Sequence, residues 1–377
     1  MSRGVTVSAA LIVKNEERFL PGCLDSLRGR VDEIIVVETG SSDASPAIAS
    51  AFGARVLHHV WRDDFSAARN VGLDAVTSDW VLYIDADERL SLPDGGVLGD
   101  YLSVDSIAAT VRFRPKTGYT RYREPRLFRS DPRLRFSGRI HETIMPAARE
   151  IAAREGLAIA RAMVDIDHLG YDDDQSHKHP RNLPLLEKSV QSNPDRVYYW
   201  HHLAETLAAL GRTDEALAAA ANGLAAAQRD PSPKQAADAS LITQTVARLW
   251  LAAGRCPLAL IDQALERVPD DYGLWFLRGR ALIEAGHCDQ AVDVARRLRA
   301  IDPDQLNDGL LAFDRQIFRD QACELAALAS LRLNRRSEAA QWFAEAARLA
   351  PETPAYRIKA LALSAAAAKE NHRVGGI

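Results

Sequence analysis

The chain has 377 residues, enough for two or three domains with cores of their own. Hydrophobic residues make up 47% and charged residues 26%, and the net charge is −4, so the composition is globular and carries no general attraction to nucleic acid. The four cysteines lie too far apart for a CxxC or Cys/His metal pattern, no signal-peptide pattern opens the chain and no apolar run approaches the ~18 residues of a membrane span, which predicts a reduced, cytoplasmic protein without a transmembrane segment.

Val5 to Val13 reads as a buried strand that ends in Lys14-Asn15-Glu16-Glu17. Phe19, Leu20, Cys23, Leu24 and Leu27 follow at helical spacing. Glu33 to Val37 is a second strand, ending in Glu38-Thr39-Gly40-Ser41-Ser42-Asp43, where Ser42 or Asp43 is expected to cap the next helix. That helix carries Pro46 in its first turn and stops at Gly53. Ala54 to His58 is a third strand, Asp64 opens another helix and Trp80 to Ile84 is a fourth strand. The alternation predicts an α/β fold, a doubly wound, Rossmann-like sheet with polar strand ends gathered at one edge, where such sheets bind ligands.

The fourth strand runs directly into Asp85-Ala86-Asp87-Glu88. Carboxylates this close repel one another, and a hard Mg2+ or Mn2+ would relieve the repulsion while bridging to substrate phosphates. The plainer reading is a polar turn after a strand.

The runs Leu11-Ile12-Val13-Lys14-Asn15-Glu16-Glu17, Val37-Glu38-Thr39-Gly40-Ser41-Ser42-Asp43, Asp63-Asp64-Phe65-Ser66-Ala67-Ala68-Arg69-Asn70 and Asp85-Ala86-Asp87-Glu88 together resemble a family 2 glycosyltransferase of GT-A fold over about the first 90 residues. The resemblance implies a nucleotide-sugar donor, usually a UDP-sugar, a divalent metal on the Asp-x-Asp pair and inversion at the anomeric carbon. It implies donor contacts at Val13, Asn15, Glu16, Glu38, Ser41, Arg69, Asp85 and Ala86. Asp87 is implied as the direct metal ligand, with Asp85 on the ribose or a metal-bound water. Glu38 departs from the family's usual Asp, although a longer carboxylate can still accept from a uracil N–H. Arg69 could meet base or phosphate bidentately, or form a helix salt bridge.

Weaker likeness continues through Arg126-Leu127-Phe128-Arg129, Gly138-Arg139-Ile140-His141-Glu142 and His168-Leu169-Gly170-Tyr171. An inverting transfer needs a base for the acceptor's proton, and Glu142 is the nearest candidate. His141 could be a metal ligand or an orienting group, and His168 a late metal ligand or a histidine hydrogen-bonded at a domain edge. Residues 112–139 hold ten arginines and lysines against two acids. Alternation such as Val111-Arg112-Phe113-Arg114 suggests strands with one wet face, on which most of these charges would be solvated and one or two could reach a donor phosphate.

Asp172 to Pro180 is polar and reads as a linker, which gives a transferase domain at 1–172 and a helical domain at 181–370. Beyond it the sequence is rich in Ala and Leu, and four similar stretches centre on Gly211, Gly254, Gly286 and Asn334. Pro269 and Pro303 stand 34 residues apart, the tetratricopeptide period, but the other spacings are irregular, so degenerate tetratricopeptide-like hairpins with insertions are expected. Trp200, Trp250, Trp275 and Trp342 are expected to pack rather than bind. The reading is a metal-dependent glycosyltransferase whose helical domain positions a peptide, protein or glycan acceptor, with homo-oligomerisation left open and no nucleic-acid partner. The alternative is a tetratricopeptide scaffold with a degenerate transferase domain.

Overall fold

A computed structural model of the chain describes residues 4–170, 178–230, 232 and 235–374. Eight strands form one mixed sheet: β1 (Val7–Val13), β2 (Glu33–Glu38), β3 (Arg55–His58), β4 (Trp80–Tyr83), β5 (Glu88–Ser91), β6 (Ser106–Arg114), β7 (Tyr122–Arg129) and β8 (Ala158–His168). Their order is β3-β2-β1-β4-β7-β6-β8-β5. The first four strands run parallel, as the βα alternation predicts. The chain winds outward from β1 through β2 to β3, then returns to place β4 on the other side of β1. The ends of β1 and β4 therefore flank the point where the winding reverses. Beyond β4 the sheet is mixed: β7 is antiparallel to β4 and β6, and β8 is parallel to β6.

The local sequence explains the helices. In α1 (Leu20–Leu27) the buried side chains are Leu20, Cys23, Leu24 and Leu27, one stripe at helical spacing. Asp64 caps α3 (Phe65–Ala75), its side chain accepting from the Ala67 N–H. Helix α2 (Ser45–Ala51) differs from the expectation: Ala44 occupies the cap position, and Asp43 instead accepts from the Ser45 N–H at 2.9 Å. Leu82 and Ile84 are fully buried in the core around β1 and β4, each contributing about 1.5–3 kcal/mol of transfer free energy. That burial fixes the ends of these strands, and so the loops that leave them.

The arginine-rich strands correct the picture of solvated charge. Arg112 meets Asp165 bidentately at 2.6 and 2.9 Å, while Arg114 and Arg121 share Asp167 at 2.8 and 2.7 Å. Arg123 pairs with Asp308 and donates to the Ala162 carbonyl at 2.6 Å. One face of β6, β7 and β8 thus carries a ladder of paired charges.

Two compact units are present: Met1–Ser192 with Asn307–Ala312, and Asn193–Leu306 with Phe313–Ile377. Helix α4 (Met145–Glu155) precedes β8; of the expected linker, residues 172–177 lie outside the described residues, and Lys178 to Pro180 begin helix α5 (Lys178–Ser192). The second unit is helical. Hairpins pair α6 (Val197–Ala209) with α7 (Thr213–Arg229), α8 (Ala236–Ala252) with α9 (Leu258–Arg267), α10 (Tyr272–Glu284) with α11 (Cys288–Arg299) and α12 (Asp320–Arg332) with α13 (Arg336–Leu349), and α14 (Pro354–Val374) follows. The four similar stretches are the hairpin turns, with left-handed Gly211, Gly254, Gly286 and Asn334 (φ 75°, 70°, 81° and 58°). The indole N–H groups of Trp200 and Trp275 donate to the carbonyls of Pro194 and Pro269, both at 2.8 Å, so these tryptophans secure their helix starts. Among the described residues no helix is long and apolar enough to cross a membrane.

Candidate active site

The loops at the C-terminal ends of β1 and β2 are laced together. The Asn15 N–H donates to Ser41 Oγ at 3.1 Å, and the Ser42 N–H donates to Asn15 Oδ1 at 2.8 Å. The Glu16 N–H donates to Ser45 Oγ at 2.8 Å. Asn15 adopts φ 57°, a left-handed conformation that asparagine tolerates well. Val13 is buried, and its carbonyl accepts from the Thr39 N–H at 3.0 Å. Glu38 turns back into its own loop: Oε1 accepts from the Gly40 and Ser41 N–H groups, and Oε2 lies 3.2 Å from His58 Nδ1. Burial opposes ionisation of Glu38, but the Ser41 amide and hydroxyl, the His58 ring and the Gly40 amide outweigh it and hold the carboxyl below its usual 4.5.

The end of β4 gathers most of the charge. Asp85 is half-buried, and its Oδ1 accepts from Arg69 Nη2 at 2.8 Å. Burial would raise the Asp85 pKa; Arg69 and Arg126 outweigh burial and bring it down to about 2. Ala86 is buried, and its carbonyl accepts from Arg89 at 3.1 Å. Glu88 is fully buried and points away from solvent. Its Oε2 accepts from the Asp85 N–H at 2.9 Å and its Oε1 from Arg126 Nη2 at 2.7 Å. Burial, with the charge of Asp85, pushes Glu88 up to about 7 against the pull of Arg126. Glu16 is likewise raised to about 7 by burial and by Asp87, with Lys178 opposing. Too much negative charge converges on this edge for all of these groups to ionise at ordinary pKa values.

Asp87 meets the last strand. His168, at the end of β8, places Nε2 3.2 Å from Asp87 Oδ2, and its Nδ1 lies 3.1 Å from the Pro115 carbonyl. An Nδ1–H donated to that carbonyl leaves Nε2 as the nitrogen directed at Asp87. The Leu169 N–H also donates to the Asp87 carbonyl at 2.9 Å. Burial opposes protonation of His168, but the Asp87 hydrogen bond and the surrounding carboxylates raise its pKa overall.

Arg69 and Glu142 face one another across the site, Nε donating to Oε1. His141 adopts φ 52° beside Glu142, whereas the imidazole that reaches Asp87 is that of His168.

The profile of glycosyl transferase family 2 matches residues 8–148, and that of the tetratricopeptide repeat matches residues 247–305. A tetratricopeptide-repeat-containing protein of Synechococcus elongatus is 32% identical over 309 residues, which cover 79% of this chain and 76% of that protein. The chain belongs to glycosyltransferase family 2. A tetratricopeptide-like region follows its transferase domain. The transferase is also similar to SunS, a prophage-derived glycosyltransferase of Bacillus subtilis, at 25% identity over 223 residues, or 56% of this chain and about half (51%) of SunS. Among solved structures, glucosyl-3-phosphoglycerate synthase from Mycobacterium tuberculosis with Mn2+, UDP and glucosyl-3-phosphoglycerate aligns at 22% identity over 44% of this chain and 72% of that one, with a TM-score of 0.34.

Three residues of the transferase site lie inside the motif runs but receive no role from them. Arg126 is one of ten basic residues in its stretch, and strand alternation gives it no special direction. The register slips between Ala109 and Thr110, so that Ala109 faces Leu127 and Thr110 faces Pro125. Arg126 is the extra residue of this bulge, turned inward onto Glu88 and between the rings of Tyr83 and Phe113 (4.7 and 4.6 Å). Gly170 is the second: a Cβ built there would overlap Asp87 Oδ2. Asn70 is the third, with Nδ2 donating to the Phe136 carbonyl and Oδ1 accepting from the Phe136 N–H, both at 3.0 Å.

Proposed function

We propose that the transferase moves a sugar with inversion from a nucleotide-sugar, a UDP-sugar in this reading, to an acceptor, with Mg2+ or Mn2+ bound at Asp87 and His168. The observation that carries this reading is the Asp87–His168 pair, with the ring anchored through Pro115, in a cluster where carboxylates outnumber guanidiniums. Asp85, Glu88 and Glu142 pair with Arg69 and Arg126 while Asp87 faces His168, and a divalent cation would offset negative charge at this edge. Asp87 Oδ2 and His168 Nε2, 3.2 Å apart, are the groups that would hold such a cation. Among the described residues no set of three or more His, Cys, Asp and Glu is already gathered as a metal cage. The Asp87 carboxylate suits either Mg2+ or Mn2+ and the His168 imidazole favours Mn2+ over the harder Mg2+; both ions commonly complete their shell with water and substrate phosphates.

When bound, the cation neutralises charge on the departing diphosphate. The remaining roles belong to side chains. The acceptor oxygen forms its bond to the anomeric carbon as the bond to the diphosphate breaks and that electron pair leaves with the nucleotide. Glu142 takes the acceptor's proton. The laced loops after β1 and β2, with Asn15, Glu16 and Ser41, hold the nucleoside. Glu38 serves this pocket by shaping its loop, since its oxygens are already engaged by Gly40, Ser41 and His58. The tetratricopeptide-like hairpins recruit a polypeptide acceptor, because stacked helix pairs offer an extended recognition surface.

A panel of UDP-sugars incubated with Mn2+ or with EDTA tests the reading, with water standing in for the acceptor. At least one donor should be hydrolysed with Mn2+ and not with EDTA. Asp87→Ala should abolish that hydrolysis while keeping the parental melting temperature, because the change removes a ligand and relieves repulsion. Unchanged turnover in Asp87→Ala with Mn2+ present refutes the metal assignment.

A further inference from the structure

We propose that Arg69 is a positioning residue that holds Glu142 in place for proton abstraction, and that it does not bind the donor. The proposal deepens the reading of Glu142 as the base and rests on it. The Arg69 side chain is only 8% exposed. Two of its nitrogens are spent on carboxylates in different elements: Nε on Glu142 and Nη2 on Asp85 at the end of β4. Its guanidinium carbon lies 4.9 Å from the centre of the Tyr83 ring and 5.5 Å from that of Phe136, so aromatic faces fix its plane as well.

The segment that carries Glu142 is irregular and includes the left-handed His141. Helix α3 clasps it at three successive places. The Phe65 N–H donates to the Arg139 carbonyl at 2.9 Å, Asn70 exchanges two hydrogen bonds with Phe136, and Arg69 holds Glu142 itself. Arginine suits this task because its rigid fork reaches two acceptors in different directions, whereas a lysine ammonium on a flexible stem cannot hold both in one geometry. A base displaced by about 1 Å can lose about 10²-fold in rate with donor binding untouched.

The test compares the parent with Arg69→Lys, Glu142→Gln and the double variant. UDP affinity is measured by calorimetry in Mn2+, and turnover with the UDP-sugar the parent hydrolyses best. Arg69→Lys should bind UDP within about threefold of the parent and turn over about 10²-fold more slowly, a loss in kcat rather than in KM. The double variant should be no slower than the slower single variant, because both changes disable one unit. Should Arg69→Lys fail to fold, Asn70→Ser removes a neighbouring clasp and should show the same split. Tenfold or weaker UDP binding by Arg69→Lys at parental kcat makes Arg69 a donor ligand and overturns the proposal. A slow Glu142→Gln beside an Arg69→Lys of parental turnover overturns the bridge alone. A Glu142→Gln of parental turnover, or a parent that hydrolyses no UDP-sugar, removes the base reading, and the bridge falls with it.

Discussion

Asp87 shows how much a motif leaves unsaid. The Asp-x-Asp pattern placed carboxylates at the end of β4, but the group that pairs with Asp87 comes from β8, and room for the Asp87 carboxylate depends on Gly170. Gly170→Ala is therefore expected to displace Asp87 and weaken Mn2+ binding at least about tenfold, the equivalent of 1.4 kcal/mol, as read by calorimetric titration; parental affinity would show that the side chain can move aside. Glu38 makes a second, separable prediction. Its folded pKa lies below 4.5, so its contribution to stability is fully present above that value and is lost as the pH falls through the lowered one. Glu38→Gln should cost about 1–3 kcal/mol near neutral pH, and the gap between its melting temperature and the parent's should close in acid. A gap that stays constant with pH would mean that ionisation of Glu38 does not matter. Residue types and spacing made Asp85, Asp87 and His168 legible as candidates. The inward turn of Arg126 was not legible, because it arises from a slip between two strands rather than from any local pattern.

The repeat hairpins were legible because their turns obey a backbone rule: a left-handed residue must follow the first helix, and Gly or Asn meets that need most cheaply. Asn334→Val should cost about 1–2 kcal/mol by forcing a branched side chain into that conformation, and Asn334→Gly should not. The hairpin packing depends on a feature no period reveals. A Cβ on Gly223, inside α7, would come within 2.6 Å of Trp200 Cβ and 2.8 Å of Ile242 Cδ1. Helix propensity alone would favour Ala there by about 1 kcal/mol, while overpacking costs about 1–3 kcal/mol. Because Trp200 Cβ is tied to its backbone, the clash should win, and Gly223→Ala should lower the urea midpoint; a raised midpoint would show that the hairpin can open slightly. The linker reading missed the start of α5 because Lys178, His179 and Pro180 sit in a polar run, where a proline in the first helical turn looks the same as a turn.

At the level of the whole molecule, the alternation of strands and helices made the first four strands legible, and the change to Ala- and Leu-rich sequence marked the helical part. The return of residues 307–312 to the first unit had no such signal: Asp308 and the Gly309 backbone meet Arg123, and Gly309 bridges Tyr122, through isolated contacts that follow no periodicity. A fragment of residues 1–192 retains every strand of the sheet and loses Asp308 and Gly309. It should bind UDP like the full chain yet melt at a lower temperature; a fragment that does not fold would make residues 307–312 essential to the sheet. The proposed function requires that Asp87 and His168 form a divalent-cation site that serves a nucleotide. Calorimetric titration of UDP into the full chain with Mn2+ and with EDTA, repeated on Asp87→Ala, reads this directly. The parent should bind UDP at least about tenfold more tightly with Mn2+, and Asp87→Ala should bind it equally under both conditions. A parent indifferent to Mn2+, or an Asp87→Ala variant that keeps the full response, would contradict it.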